Sequence, residues 1–288
     1  MNKKIFWWLS GPGALFLATF LFVPLITIVI FSFWRTESYT MIANWNLDNY
    51  IRLLTGKTYL TFLMRSIVTA SVVSLVSLII SWPIAFYIAR YGGKYKIILL
   101  LLTSAPFLTG EVLRVTALQQ ILGPLGLINM TLNNFGIEPI EMFMYSKTAS
   151  GIGLTYIWLP FMVLAIYLSL LNFDFDLLEV AKVNGAKPWS AFWEITWPLN
   201  KIGTAIGIVL VFIPTLASSI TSKFLGGSNG ALYGNILTHQ FGSTGTWALG
   251  SAMGVVLFFV SIIILVIVWK LVGDLRRSGI SIKGGARL

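Results

Sequence analysis

The chain has 288 residues, no cysteine, a single histidine, 57% apolar and 10% charged residues, and a formal charge of +10. A soluble domain carries about 25% charged residues, so most of this surface faces something other than water. Without cysteine there are no disulfides, iron–sulfur centres or thiol catalysis, and His239 alone builds no zinc site.

The apolar residues come in long runs, not at amphipathic spacing. About 20 helical residues cross a hydrocarbon core of about 30 Å, and six stretches approach that length. The first, 6–34, has 29 uncharged residues, too many for the core of a signal peptide, and reads as an uncleaved anchor. Residues 44–54 read as a polar turn entering a short interfacial helix, and 66–89 as the second span. The third, 97–118, is interrupted by Glu111 and Arg114, so its charged end belongs at an interface or a polar cavity. The glycine- and asparagine-rich stretch 123–138 suits a short amphipathic helix on the outer face. Residues 148–172, 202–222 and 246–270 complete the set, with a flexible turn at 226–230.

The expected fold is therefore all-α: a single polytopic domain over 1–288 with six transmembrane helices. With both termini inside, 13 of the 20 Lys and Arg residues fall on the inner side and 7 on the outer side or at span edges, which predicts cytoplasmic termini. The basic residues are scattered between spans, so the charge reports topology, not nucleic-acid binding. Trp7, Trp8, Trp34 and Trp269 fit an interfacial belt, as do His239 and Trp247 more readily than a gate.

The inner loop 174–201 reads DFDLLEVAKVNGAKPWSAFWEITWPLNK. Asp176 followed three residues later by Glu179 predicts a capping box at the start of a helix. Asn184-Gly185 ends that helix, Pro188 opens another, and Pro198 limits its far end. The result is two short helices hinged at Gly185, with Leu177, Leu178, Ala181, Trp189, Phe192 and Ile195 making the pair partly apolar. It either docks in a partner's groove or packs on its own spans.

Here the chain resembles a family. Glu179-x-Ala181-x3-Gly185, nine residues, then Ile195-x2-Pro198 is similar to the cytoplasmic loop of ABC importer permeases, with Val180 where alanine is usual and Trp197 where leucine is usual. Leu47-Asp48-Asn49-Tyr50, Ala105-Pro106-Phe107-Leu108-Thr109, Leu159-Pro160-Phe161-Met162 and Phe212-Ile213-Pro214-Thr215-Leu216 extend the resemblance over nearly the whole chain, towards the spermidine/putrescine branch. The resemblance implies an inner-membrane subunit that pairs with a homologous permease and works with a cytoplasmic ATPase dimer. It also implies a periplasmic or lipid-anchored binding protein, with Glu179, Ala181, Gly185, Ala186, Ile195 and Pro198 taking the ATPase stroke. Such a chain needs no cofactor and hydrolyses no ATP itself. Gly56-Lys57-Thr58 imitates the end of a Walker A loop, but Ile51 stands where its first glycine is required.

Candidates for the pathway are Glu111 and Arg114, one turn apart, which either line a cavity or pair with each other. Thr215, Ser218 and Ser219, beside Pro214, either line a polar path or serve close helix packing. Many polyamine permeases carry an acidic or aromatic pair around the two serines, where this chain has small hydroxyls. Iron or phosphonate are the alternative solutes, and an ATP-independent secondary transporter the alternative class.

Overall fold

Apolar stretches at membrane depth leave the helix as the one open segment that satisfies its own backbone, and helices make up most of the structure. The computed structural model describes residues 3–138, 140 and 144–278, and their side chains over 11–271 except at 14. The side chains of Trp7 and Trp8 and both chain ends lie outside that description. Among the described residues five helices are long and apolar enough to cross a membrane, six if the bent pair Pro188–Leu199 and Lys201–Leu216 counts as one. The chain folds as two compact units, Met1–Leu63 with Gly234–Val260, and Met64–Tyr233 with Ser261–Leu288.

The first unit contains α1 (Lys3–Ser32), a hairpin of β1 (Arg35–Glu37) and β2 (Thr40–Ile42), α2 (Asp48–Thr55), the start of α3 (Lys57–Tyr91), most of α12 (Tyr233–Phe241) and the first part of α13 (Trp247–Ser278). The hairpin is an addition to the all-α expectation. Its strands are three residues each, too short for a period-two signal, and its turn uses positive φ at Ser38 and Tyr39 instead of the usual glycine. Thr36 Oγ1 accepts the Ala248 N–H at 3.2 Å, at the start of α13. Asn49 Nδ2 donates to the carbonyls of Ser32 and Trp34 at 3.0 and 2.9 Å, and the Tyr50 hydroxyl shares a 2.6 Å bond with Ser32 Oγ. The Leu47–Tyr50 motif thus satisfies carbonyls left free at the end of α1.

The second unit holds the rest of α3, α4 (Lys96–Ser104), α5 (Glu111–Leu122), α6 (Leu127–Asn134), α7 (Lys147–Leu170), α8 (Asp176–Val183), α9 (Pro188–Ala191), α10 (Trp197–Leu199) and α11 (Lys201–Leu216). The stretch 97–118, expected as one span, is not continuous. α4 gives way to a 3₁₀ turn over Ala105–Leu108, Thr109 and Gly110 are extended, and α5 starts afresh at Glu111. Pro106, without an N–H, and Gly110 supply the break. The helices long enough to cross there are α5 and α6 together, over Glu111–Asn134.

Packing of α11 on α7 depends on small residues. A Cβ on Gly203 would stand 2.2 Å from Ser169 Cβ, and one on Gly207 would stand 2.5 Å from Met162 Sδ. Between lipid-facing helices, where no water is displaced, such close backbone approach supplies most of the attraction. Gly151, also on α7, faces open space. Gly203→Leu is therefore expected to lower the thermal midpoint of the detergent-purified protein, overpacking costing about 1–3 kcal/mol, while Gly151→Leu leaves it unchanged; light-scattering or fluorescence melts check this.

Candidate functional site

The loop between α7 and α11 forms a bent helical pair. α8 begins at Asp176, where the sequence places it, but without the expected Asp176–Glu179 capping box: Asp174 Oδ1, two residues upstream, accepts the Asp176 N–H at 3.0 Å, and Asp176 is the first residue of the helix. Glu179 is drawn elsewhere, into an ion pair with Arg90 at the end of α3. The far end of α8 closes as the sequence predicts. Gly185 has φ +82°, the Ala186 N–H bonds the Ala181 carbonyl and the Gly185 N–H bonds that of Lys182, both at 3.0 Å. This is a Schellman ending, which requires a left-handed residue at position 185.

Pro188 begins α9, a π-helical turn follows over Phe192–Thr196, and α10 carries Pro198. The chain then bends by 74° into α11. At the bend Asn200 is buried, donating to the Thr196 carbonyl at 2.9 Å and accepting from Ser169 Oγ at 3.0 Å. One face of the loop packs on its own unit. Leu178 is buried, and Phe175, Phe192, Ile195 and Trp197 pack on a core containing Trp82, Ala85 and Ile88 of α3. The Trp82 ring lies 5.1 Å from Phe192, edge-on, and 5.7 Å from Trp197. The opposite face is bare: Val180, Val183 and Trp189 are 59%, 87% and 71% exposed. Glu179, Gly185 and Pro198 are exposed, whereas Ala181, Ala186 and Ile195 are half-buried.

The pathway candidates meet at two interruptions. α11 ends at Leu216, two residues after Pro214, and Ala217, Ser218 and Ser219 leave the helix before it resumes as a π-helical turn over Ser222–Gly226. Thr221, just beyond that break, donates its hydroxyl to Glu111 Oε1 at 2.7 Å. Glu111 sits in the first turn of α5, just beyond the other break. No Glu111–Arg114 ion pair forms. Arg114 is 8% exposed, and its Nε and Nη1 have no hydrogen-bond partner. Its guanidinium lies 5.8 Å from the centre of the Phe107 ring. Thr215 is buried with its hydroxyl unpartnered, and Ser218 is buried, its carbonyl accepting from Ser222 Oγ at 3.2 Å. The Ser219 carbonyl accepts the Lys223 N–H at 3.0 Å.

No protein-family model matches the chain. Among curated proteins, it is 33% identical over 257 residues, 88% of its length and 93% of the relative, to the spermidine/putrescine transport system permease protein PotB of Escherichia coli strain K12. It belongs to the family of spermidine/putrescine-type ABC transporter permeases. Solved structures agree on the fold. A bacterial ABC transporter involved in the import of the acidic polysaccharide alginate aligns over 96% of both chains with TM-score 0.69 at 17% identity. The same class of transporter, in complex with an alginate pentasaccharide-bound periplasmic protein, aligns over 93% of both chains with TM-score 0.70 at 16% identity.

In this permease subunit of an ABC importer, several polar contacts join segments distant in the sequence. Thr221, Arg90, Asn200 and Trp82 are residues that sequence reasoning passed over. A threonine in an apolar stretch, an asparagine before a span and a tryptophan within one carry no local signal of their partners. Arg90 was legible only as a topology marker. The Glu111–Thr221 bond sets a test: Thr221→Val leaves the carboxylate without its donor and is expected to destabilise the purified permease by about 1–3 kcal/mol, with Thr221→Ser restoring it, as read from denaturation midpoints.

Proposed function

We propose that this permease and a homologous second subunit line the route by which a polyamine, spermidine or putrescine, crosses the bacterial inner membrane. A cytoplasmic ATPase dimer drives it, and a periplasmic or lipid-anchored binding protein delivers the solute. The observation that carries the solute is the 33% identity to PotB along 88% of the chain. The alginate transporter bound to its periplasmic protein supports that kind of delivery.

The observation that carries the coupling is the two-faced loop. Its inner face is anchored on α3 by aromatic contacts and by the Arg90–Glu179 pair, so a push on the loop is transmitted to α3. Its buried pivot, Asn200, ties the same motion to α7 and α11. The exposed Val180, Val183 and Trp189 give an apolar surface that fits a groove in the ATPase. Rigid-body rocking of such anchored elements is the usual form of alternating access. In this reading both termini are cytoplasmic and the chain contributes no catalytic group of its own.

Within the membrane, Glu111 is a carboxylate suited to an ammonium group, and Thr215, Ser218 and Ser219 add hydroxyls around the break in α11. A second reading, the same importer class serving an anionic solute such as phosphonate, rests on Arg114. A buried guanidinium with two unpartnered nitrogens attracts an anion and repels a polyamine.

Uptake of labelled spermidine and putrescine in a strain lacking other polyamine systems, with and without this chain, tests the solute; equal uptake rules polyamines out. Glu179→Lys and Gly185→Val are each expected to abolish that uptake with membrane insertion intact, as measured by transport assay and membrane fractionation. Normal uptake by either variant counts against the lever.

A further inference from the structure

The hairpin made by α3 and α4 carries a groove lined by none of the loop or pathway candidates described above. Ile84 and Ile88 of α3 and Leu99 and Leu102 of α4 wall it, around a volume of about 530 Å³. Two hydroxyl-bearing side chains also reach it, Tyr87 and Thr103. The Thr103 hydroxyl is turned back on the Leu99 carbonyl at 2.8 Å, so the Tyr87 phenol is the polar element of the lining.

At the closed end of the hairpin stand Lys94, Tyr95 and Lys96. Lys96, Leu99 and Thr103 follow one another at i, i+3 and i+7, so the lysine shares the groove-lining face of α4. Tyr87 and Tyr91 likewise succeed each other along α3, their rings 5.9 Å apart. Lys94 Nζ lies 5.1 Å from the centre of the Tyr95 ring. Among the described residues neither lysine has a carboxylate partner, and the nearby Arg90 is engaged by Glu179.

An apolar slot that opens onto tyrosines and uncompensated ammonium groups matches one kind of molecule. We propose that the groove binds an acyl chain of an anionic phospholipid whose phosphate group is held by Lys94 and Lys96. The dimensions agree. Seven residues separate Lys96 from Thr103, about 10 Å along the helix, against about 15 Å for half of the hydrocarbon core. A phospholipid headgroup at the lysines therefore places the upper part of its chain between Ile84 and Leu102. The walls accept any lipid. The selectivity for net negative charge comes from the two lysines, since basic pockets between spans at the membrane face bind anionic headgroups. The site is independent of the transported solute.

The test uses the permease in the complex with which it co-purifies, equilibrated in micelles of equal phosphatidylglycerol and phosphatidylethanolamine, with retained lipids counted by native mass spectrometry. The native protein is expected to retain phosphatidylglycerol preferentially. The double variant Lys94→Gln with Lys96→Gln is expected to lose that retention about tenfold, with phosphatidylethanolamine unaffected. Ile84→Trp, which fills the groove, lowers retention of both lipids, and Lys147→Gln, the same charge change elsewhere, alters neither. Undiminished phosphatidylglycerol in the double lysine variant, or in Ile84→Trp, overturns the proposal. Because the chain has no cysteine, Leu102→Cys offers a unique attachment point for a photo-crosslinker. Capture of phosphatidylglycerol there supports the site, and capture of a neighbouring protein subunit instead of lipid overturns it.

Discussion

Backbone groups inside a bilayer have no water to turn to, so a helix that stops at that depth must hand its free N–H and C=O groups to protein or to an enclosed polar space. Two helical stretches of this chain are interrupted, one between Leu108 and Glu111, the other between Leu216 and Ile220. Glu111, Thr215, Ser218 and Thr221 of the second unit stand at these two interruptions. Glu111 sits among the first N–H groups of α5, where the helix dipole favours a carboxylate, and Thr221 reaches across to it from beyond the other break. Broken helices of this kind are where transporters commonly place their solute sites, which is why these breaks, and not the continuous helices, are the place to look for chemistry.

The loop between α7 and α11 is packed on one side and exposed on the other. Aromatic packing of Phe192 and Trp197 on Trp82, the buried Asn200 and the Arg90–Glu179 pair hold the inner side. Among the described residues nothing covers Val183 or Trp189, which are largely exposed. A loop packed only as filler between its own helices would bury its larger apolar residues, since each such side chain gains about 1.5–3 kcal/mol from full burial. Glu179 is accordingly part of the internal anchorage of the loop as well as a candidate contact for the proposed ATPase.

Arg114 stands apart from both arrangements. Among the described residues of the second unit it is the buried cation, and it forms no ion pair with Glu111 one turn away, whose carboxylate accepts from Thr221. A guanidinium kept in such a place is costly and calls for an electrostatic partner.

The sequence by itself determined the membrane class, the order of the apolar stretches, and the glycine ending and proline start within the loop. These follow from composition, run length and local backbone chemistry, all properties of neighbouring residues. Gly185 in the left-handed region and Pro188 at a helix start were legible for that reason. Tertiary structure decided everything that depends on residues distant in the chain. It chose Arg90 for Glu179, 89 positions away, and Thr221 for Glu111, 110 positions away, where spacing had suggested Arg114. It also divided 97–118 into separate helices and turned one face of the loop outwards. A hydrogen-bonding side chain takes the best partner that packing brings within reach, and sequence spacing records only those within a helical turn or two.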